Sequence, residues 1–159
     1  ALAAGGAPDK QAAVCATAFS EAGLEVSTEK GRERWARQRG MQRTQDGAVV
    51  RVSGLPAQLG RVLELARAVG ASAVGRAGLG VSWLRLPDAP EDELVGSIEE
   101  VRSALGPWPV TVLDAPKGVR AKIDVWGQQD EGVVELMRRV KQRFDGAGVF
   151  KPGYFVGGV

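Results

Sequence analysis

Between residues 48 and 113 the apolar pattern alternates between the period of a strand and that of a helix, and glycine or proline stands near each change. This ordering is what most restricts the fold. Ala48 to Ser53 alternates valine with polar residues, the mark of a half-buried strand. Pro56 follows where a helix can open without losing a hydrogen bond. Leu55, Leu59, Val62, Leu63, Ala66 and Val69 then share one helical face, closed by Gly70. Ser72 to Arg76 and Val81 to Leu86 read as two strands, with Gly78 and Gly80 in the turn between them. Pro90 and three acids, Glu91, Asp92 and Glu93, open a second helix at the positive end of its dipole. Its buried stripe is Leu94, Ile98, Val101 and Leu105, and Gly106 and Pro107 end it. Val110 to Leu113 reads as a fourth strand.

Strand–helix–strand–strand–helix–strand predicts an α+β chain: a ferredoxin-like split βαββαβ antiparallel sheet with its helices on one face. Extra elements are expected on both sides. Asp9 to Ala22 reads as a helix stopped by Gly23, Leu24 to Ser27 as a short strand, and Thr28 to Arg39 as a charged helix capped by Thr28 and stopped by Gly40. A last helix is expected from about Asp130 to Phe144. Val133, Leu136, Met137, Val140 and Phe144 form its apolar face, and Arg138, Arg139, Lys141 and Arg143 a basic one. Cations near a helix C-terminus are favoured by the dipole, so the basic face reads either as solvated or as a docking surface for an acidic partner.

The composition excludes several classes of chemistry. The 159 residues contain no histidine, which removes Ser/His/Asp and Cys/His catalysis and histidine-based metal sites. The single Cys15 can form no internal disulfide, fits a reducing compartment, and reads as a small packed side chain rather than a nucleophile. A formal net charge of +2 gives no reason to expect nucleic acid or an anionic membrane as partner. RNA binding on the sheet is also disfavoured, because the strands supply only Trp83 and at most Trp108, with no interleaved basic–aromatic pattern. No apolar run approaches the roughly 20 residues of a membrane span. Ala1 to Gly6 has no secretory pattern and no initiator Met, so the chain is expected to be a piece of a longer cytoplasmic protein.

From Met137 to Val159 the sequence resembles the end of FAD-linked oxidases of the glycolate oxidase and D-lactate dehydrogenase group. Those chains end in a helix followed by K-x-x-F-D-P-x-G-I-F-N-P-G-R, often with F-V-G-G. Lys141, Phe144, Asp145, Gly148, Val149, Phe150, Pro152 and Gly153 match that pattern. Ala115-Pro116 and Asp124-Val125-Trp126-Gly127 resemble a segment of the accessory flavin subunit of glycolate oxidase, and Arg34-Trp35 resembles a mid-cap helix of the family. The resemblance implies the cap of an FAD-dependent 2-hydroxy acid oxidoreductase. Its organisation would be 1–47 as the start of the cap, 48–114 as the ferredoxin-like half, and 115–159 as a strand, helix and tail returning to a flavin domain. FAD would be held mainly by that other domain. The implied partners are the protein's own N-terminal flavin domain or a second flavin subunit, with an iron–sulfur subunit beyond, in the cytoplasm or peripheral to the inner membrane through a complex. As an isolated piece the chain is expected to be inactive. The competing expectation is a stand-alone ferredoxin-like interaction module without chemistry.

The departures from the family pattern are informative. Metal-dependent relatives resemble G-H-x-G-D-G-N-x-H where this chain has Gly75-Arg-Ala-Gly-Leu-Gly-Val-Ser-Trp83. Arg76 and Trp83 replace the two histidine ligands, so no divalent metal is expected there, and the resemblance shifts to the accessory flavin subunit. Arg76 reads either as a carboxylate receiver at a substrate cavity or as a solvated side chain, and Trp83 either as a cavity wall or as packing. In the tail, Lys151 stands for Asn and Tyr154 for Arg. The resemblance puts both near the flavin, where a cation would stabilise the reduced ring; the other reading is an exposed tail. Gly75, Gly78 and Gly80 precede a strand and make no dinucleotide fingerprint. No catalytic residue can be named.

Overall fold

The computed structural model describes residues 8–27, 32–151 and 153–159. The chain divides into two compact units, Ala1–Ala36 and Arg37–Val159. In the first, α1 (Pro8–Glu21) ends at Gly23, whose φ of +76° places it in the left-handed region. There the Leu24 amide donates back to the Phe19 carbonyl at 3.0 Å, closing the last turn. No residue of α1 is buried, and Val14 and Phe19 lie on its surface. Residues 24–27 form no strand; the expected Thr28 cap lies outside the described residues. The charged segment gives α2 (Arg32–Gly40), which runs across the boundary between the units.

The second unit is built on β1 (Ala48–Ser53), α3 (Leu59–Ala68), β2 (Ser72–Arg76), β3 (Val81–Leu86), α4 (Glu91–Leu105) and β4 (Val110–Asp114). The sheet order is β2-β3-β1-β4 and each pairing is antiparallel, which is the ferredoxin-like split arrangement. A 3₁₀ turn, Pro56–Gln58, enters α3, so Pro56 opens a turn ahead of the helix proper. Val50, Val52, Leu84, Leu86, Val110 and Val112 point to the side where α3 contributes Val62 and Ala66 and α4 contributes Leu94, Ile98, Val101 and Leu105. Both helices therefore lie on one face of the sheet. The α4 stripe is buried as its spacing dictates, whereas the face of α3 is cut short, with Leu55 and Leu63 exposed.

After β4 the structure departs from the expected strand. Pro116 opens a short helix, α5 (Lys117–Lys122), whose Lys122 reaches Glu91 and Asp92 at the start of α4 at 3.2 and 2.8 Å. The segment behind it runs alongside β4 for a single bond, from the Val112 amide to the Val125 carbonyl. In α6 (Glu131–Phe144) the Asp130 side chain caps the first turn, accepting from the amides of Gly132 and Val133. Its buried residue is Val134, one position away from the expected stripe, and one position turns a helix by about 100°. Val134 meets Val156 and Val159 of the tail in a second small core, with Trp126 and Met137 against it. No helix among the described residues is long and apolar enough to cross a membrane.

Candidate functional site

Strand residues alternate between faces, so the residues offset by one from the core set occupy the side of the sheet opposite α3 and α4. Register places Arg51 of β1 directly across from Trp83 of β3, with Val74 of β2 on the other side of Trp83. Arg85 follows two residues after Trp83 on the same face, and Arg76 stands across from Val81, two residues before it. This face carries a half-buried Trp83 among three exposed arginines and is closed over at Val49, which lies across from Arg85 and is fully buried. None of the three forms an ion pair within the described residues. The one acid in the four strands, Asp114, is already engaged. The Arg43 guanidinium meets both its oxygens at 2.7 and 2.9 Å, and the Thr44 amide donates to it at 3.1 Å. The Arg43 hydrogen bonds hold the Asp114 carboxyl below the usual range, against the opposing effect of its burial. Beyond that pair, a polar recess of about 490 Å³ lies between Arg85 and the segment from Arg43 to Asp46. Cationic forks without carboxylates, beside an aromatic plane, suit an anion attached to a flat group.

The hairpin turn explains Gly80. Gly80 has φ +63°, and a Cβ there would run into the backbone of Gly54, whose amide donates to the Gly80 carbonyl at 2.8 Å. No helix begins after this turn, so Gly80 serves the close approach to Gly54 rather than a phosphate. Among the described residues no group of His, Cys, Asp and Glu side chains is arranged to hold a metal ion. Trp108 does not belong to the open face; its ring lies against Gly54. One aromatic is fewer than the two or three rings on which an RNA-binding sheet stacks bases.

Lys151 and Tyr154 lie on a second surface, which shares no lining residue with the first. The Lys151 ammonium stands 5.8 Å from the centre of the Tyr154 ring. Lys151 has φ +32°, the only non-glycine among the described residues with positive φ. Both residues line a trough of about 560 Å³ with Leu136, Met137, Val140 and Phe150. Asp145 fixes the wall of this trough. Its carboxylate accepts from the amides of Val149 and Phe150 at 2.8 and 3.1 Å and from the Lys141 ammonium at 3.1 Å. Burial alone would raise its pKa, but these three donors outweigh it and hold the carboxyl below the usual range. On the far side, Trp126 donates to the Tyr154 carbonyl at 3.2 Å and packs edge-on against Phe155, ring centres 5.0 Å apart.

A larger recess, about 870 Å³, borders the end of α4, but its central Arg102 is occupied by Glu99 and the carbonyls of Val110 and Asp124. Of the residues singled out in the sequence, Arg76 and Trp83 meet on one face, and Lys151 and Tyr154 meet on another. Sequence reasoning passed over Arg51 and Arg85, although their odd positions between Val50, Val52, Leu84 and Leu86 already put them on the outer face. It also missed the tether made by Asp145. Comparison with protein families, with characterised proteins and with solved structures finds no match to this chain.

Proposed function

We propose that the chain is the C-terminal cap portion of an FAD-dependent 2-hydroxy acid oxidoreductase of the glycolate oxidase type, with the open sheet face turned toward the flavin. The observation that carries this reading is that Arg76 and Trp83 share the sheet face opposite α3 and α4 with Arg51 and Arg85. When bound, FAD would accept a hydride from the hydroxyl-bearing carbon. The part of this chain is to receive the substrate carboxylate through the arginine forks and to keep water from one side with Trp83. The described residues contain no glycine-rich loop that leads into a helix, which fits a cap that covers a flavin held by another domain or subunit. Lys151 and Tyr154 are the flavin contacts implied by the resemblance. An iron–sulfur subunit as electron acceptor and a cytoplasmic setting belong to the same reading. The competing reading, an interaction module without chemistry, is favoured by the exposed apolar face of α6.

The test is to produce the longer protein that contains this chain and record its visible absorbance. A yellow protein with flavin bands is expected; a colourless one that stays colourless after reconstitution with FAD overturns the proposal. In a flavin-containing protein, Arg51→Ala and Arg76→Ala should each raise KM for the carboxylate substrate by about 10- to 100-fold, the size of one charge-assisted hydrogen bond. Stoichiometric zinc or iron that disappears in Arg76→Ala would contradict the assignment of Arg76 as a carboxylate receiver.

A further inference from the structure

The two edges of the sheet end differently. At β4 the outward amide of Val112 is met by the Val125 carbonyl, whereas β2 pairs only with β3. The ladder shows which groups β2 leaves open. The Gly54 amide donates to the Gly80 carbonyl, so along β3 the even-numbered residues bond toward β1 and the odd-numbered ones toward β2. Their partners Ser72, Val74 and Arg76 turn their backbone groups inward, and Ala73 and Gly75 turn theirs outward. No backbone bond among the described residues meets those outward groups. Sheet edges are commonly blunted by proline, charge or a bulge. Ser72-Ala-Val-Gly-Arg76 has no proline, an unbroken register with β3 and a single charge at its end. In the helix layer, α3 touches β2 and α4 touches β4. Arg61 of α3 reaches the Ala104 carbonyl of α4. Leu63, about 200° around the helix from Arg61, therefore lies on the side away from α4, and it is 49% exposed.

We infer that β2 is a dimerisation edge: a second copy of this chain adds its own β2 antiparallel, across a two-fold axis at Val74, to make one continuous sheet. The open backbone groups select this register. With the axis at Val74, Ala73 stands across from Gly75 of the second copy and Gly75 across from its Ala73, so every outward amide and carbonyl of both strands is paired. An axis at Ala73 would set Gly75 against Ala71, whose amide is already given to Ala66. An axis at Gly75 would set Ala73 against Ala77, whose carbonyl already accepts from Gly80. Charge agrees with the axis at Val74. Arg76 falls across from Ser72 of the second copy, and Arg85 behind that serine is two strand spacings away, about 10 Å, roughly the Debye length in 0.1 M salt. The two Val74 side chains face each other at a site without hydrogen bonds, where opposed side chains approach most closely. What selects a second copy over an unrelated strand is that one axis satisfies every open backbone group, keeps the only charge of the strand from its own equivalent, and turns the exposed Leu63 of each copy toward the other. The inference does not rest on the flavin reading, in which Leu63, Ala73 and Val74 have no part.

The contact is small, so sedimentation equilibrium of the 159-residue chain should show a weak, reversible monomer–dimer equilibrium at about 10–500 µM. Ala73→Pro removes an outward amide without touching the β3 ladder and should weaken the dimer by at least about tenfold. Leu63→Asp should weaken it as well. Val74→Lys and Val74→Glu should each weaken self-association, and the two variants mixed in equal amounts should recover it, because only an axis at Val74 brings these two positions face to face. Leu136→Asp, on exposed surface of α6, should leave the dimer unchanged. Circular dichroism verifies that each variant folds, and the mixed Val74 pair decides the matter if Ala73→Pro does not. The inference is overturned if the chain stays monomeric throughout this range, if association survives in folded Ala73→Pro, if Leu136→Asp abolishes it, or if mixing the Val74 variants restores nothing.

Discussion

At the scale of residues, two positions show how little freedom the candidate surfaces have. Gly80 combines a left-handed backbone with a contact on Gly54 that leaves no room for a Cβ. Gly80→Ala should lower stability by about 2 kcal/mol or more, through strain and displacement of the turn. A thermal melt equal to that of the parent would refute this account of the hairpin. Asp145 acts on the tail in the same local manner. Its carboxyl is depressed in the folded state, so its contribution is complete above the unfolded value of about 3.9 and is lost as pH falls through the lower folded value. The amides of Val149 and Phe150 should therefore stay protected from hydrogen exchange at pH 5 and lose protection only in stronger acid. In Asp145→Asn that protection should already be weakened at pH 5. In the sequence Asp145 was marked only by a resemblance. Its work as a three-point acceptor was not visible there, because the amides it binds are set by the path of the turn.

At the scale of elements, α4 and α6 show what periodicity can and cannot tell. Both have apolar residues at helical spacing, and for α4 the spacing names the buried set of Leu94, Ile98, Val101 and Leu105. For α6 the same reasoning names Val133, Leu136, Met137, Val140 and Phe144, yet the helix buries Val134. Periodicity shows which residues share a face; whether another element lies against that face depends on the rest of the chain. The contrast has a measurable size. Ile98→Ala should cost about 2–5 kcal/mol, as a cavity in a closed core, whereas Leu136→Ala should stay within about 0.5 kcal/mol, as a surface change. A large loss at Leu136 in chemical denaturation of the chain alone would mean that its face is covered after all. The segment after β4 carries a related lesson. Proline at residue 116 restricts the residue before it and opens a helix after it, so α5 occupies the place of the expected strand.

At the scale of the whole molecule, the order and pairing of the sheet were legible because turn residues and period agree at each boundary from Ala48 to Asp114. The candidate site was legible only in part. Arg76 and Trp83 stand seven positions apart in the sequence, and their joint surface required the hairpin register. Arg51 joined them only once β1 was known to lie beside β3. A charge count of the chain conceals this arrangement, since a net +2 spread evenly would leave no cluster. The open face should therefore bind anions more tightly than net charge suggests. Titration with a small aromatic carboxylate should quench Trp83 fluorescence in a variant whose other tryptophans are replaced by Phe, and Arg51→Ala with Arg85→Ala should reduce the effect. No quenching in the parent of that series would remove the anion site.

The position of β1 also governs the timing of folding. It is the first strand of the sheet in the chain, yet it sits between β3 and β4, the last two. On a ribosome adding about 5–20 residues per second, β1 waits on the order of seconds before residue 114 emerges to complete its pairing. Throughout that interval the valine-rich edge that β4 will cover remains open. The nascent chain is thus open to misassociation from the emergence of Ser53 until Asp114 follows it.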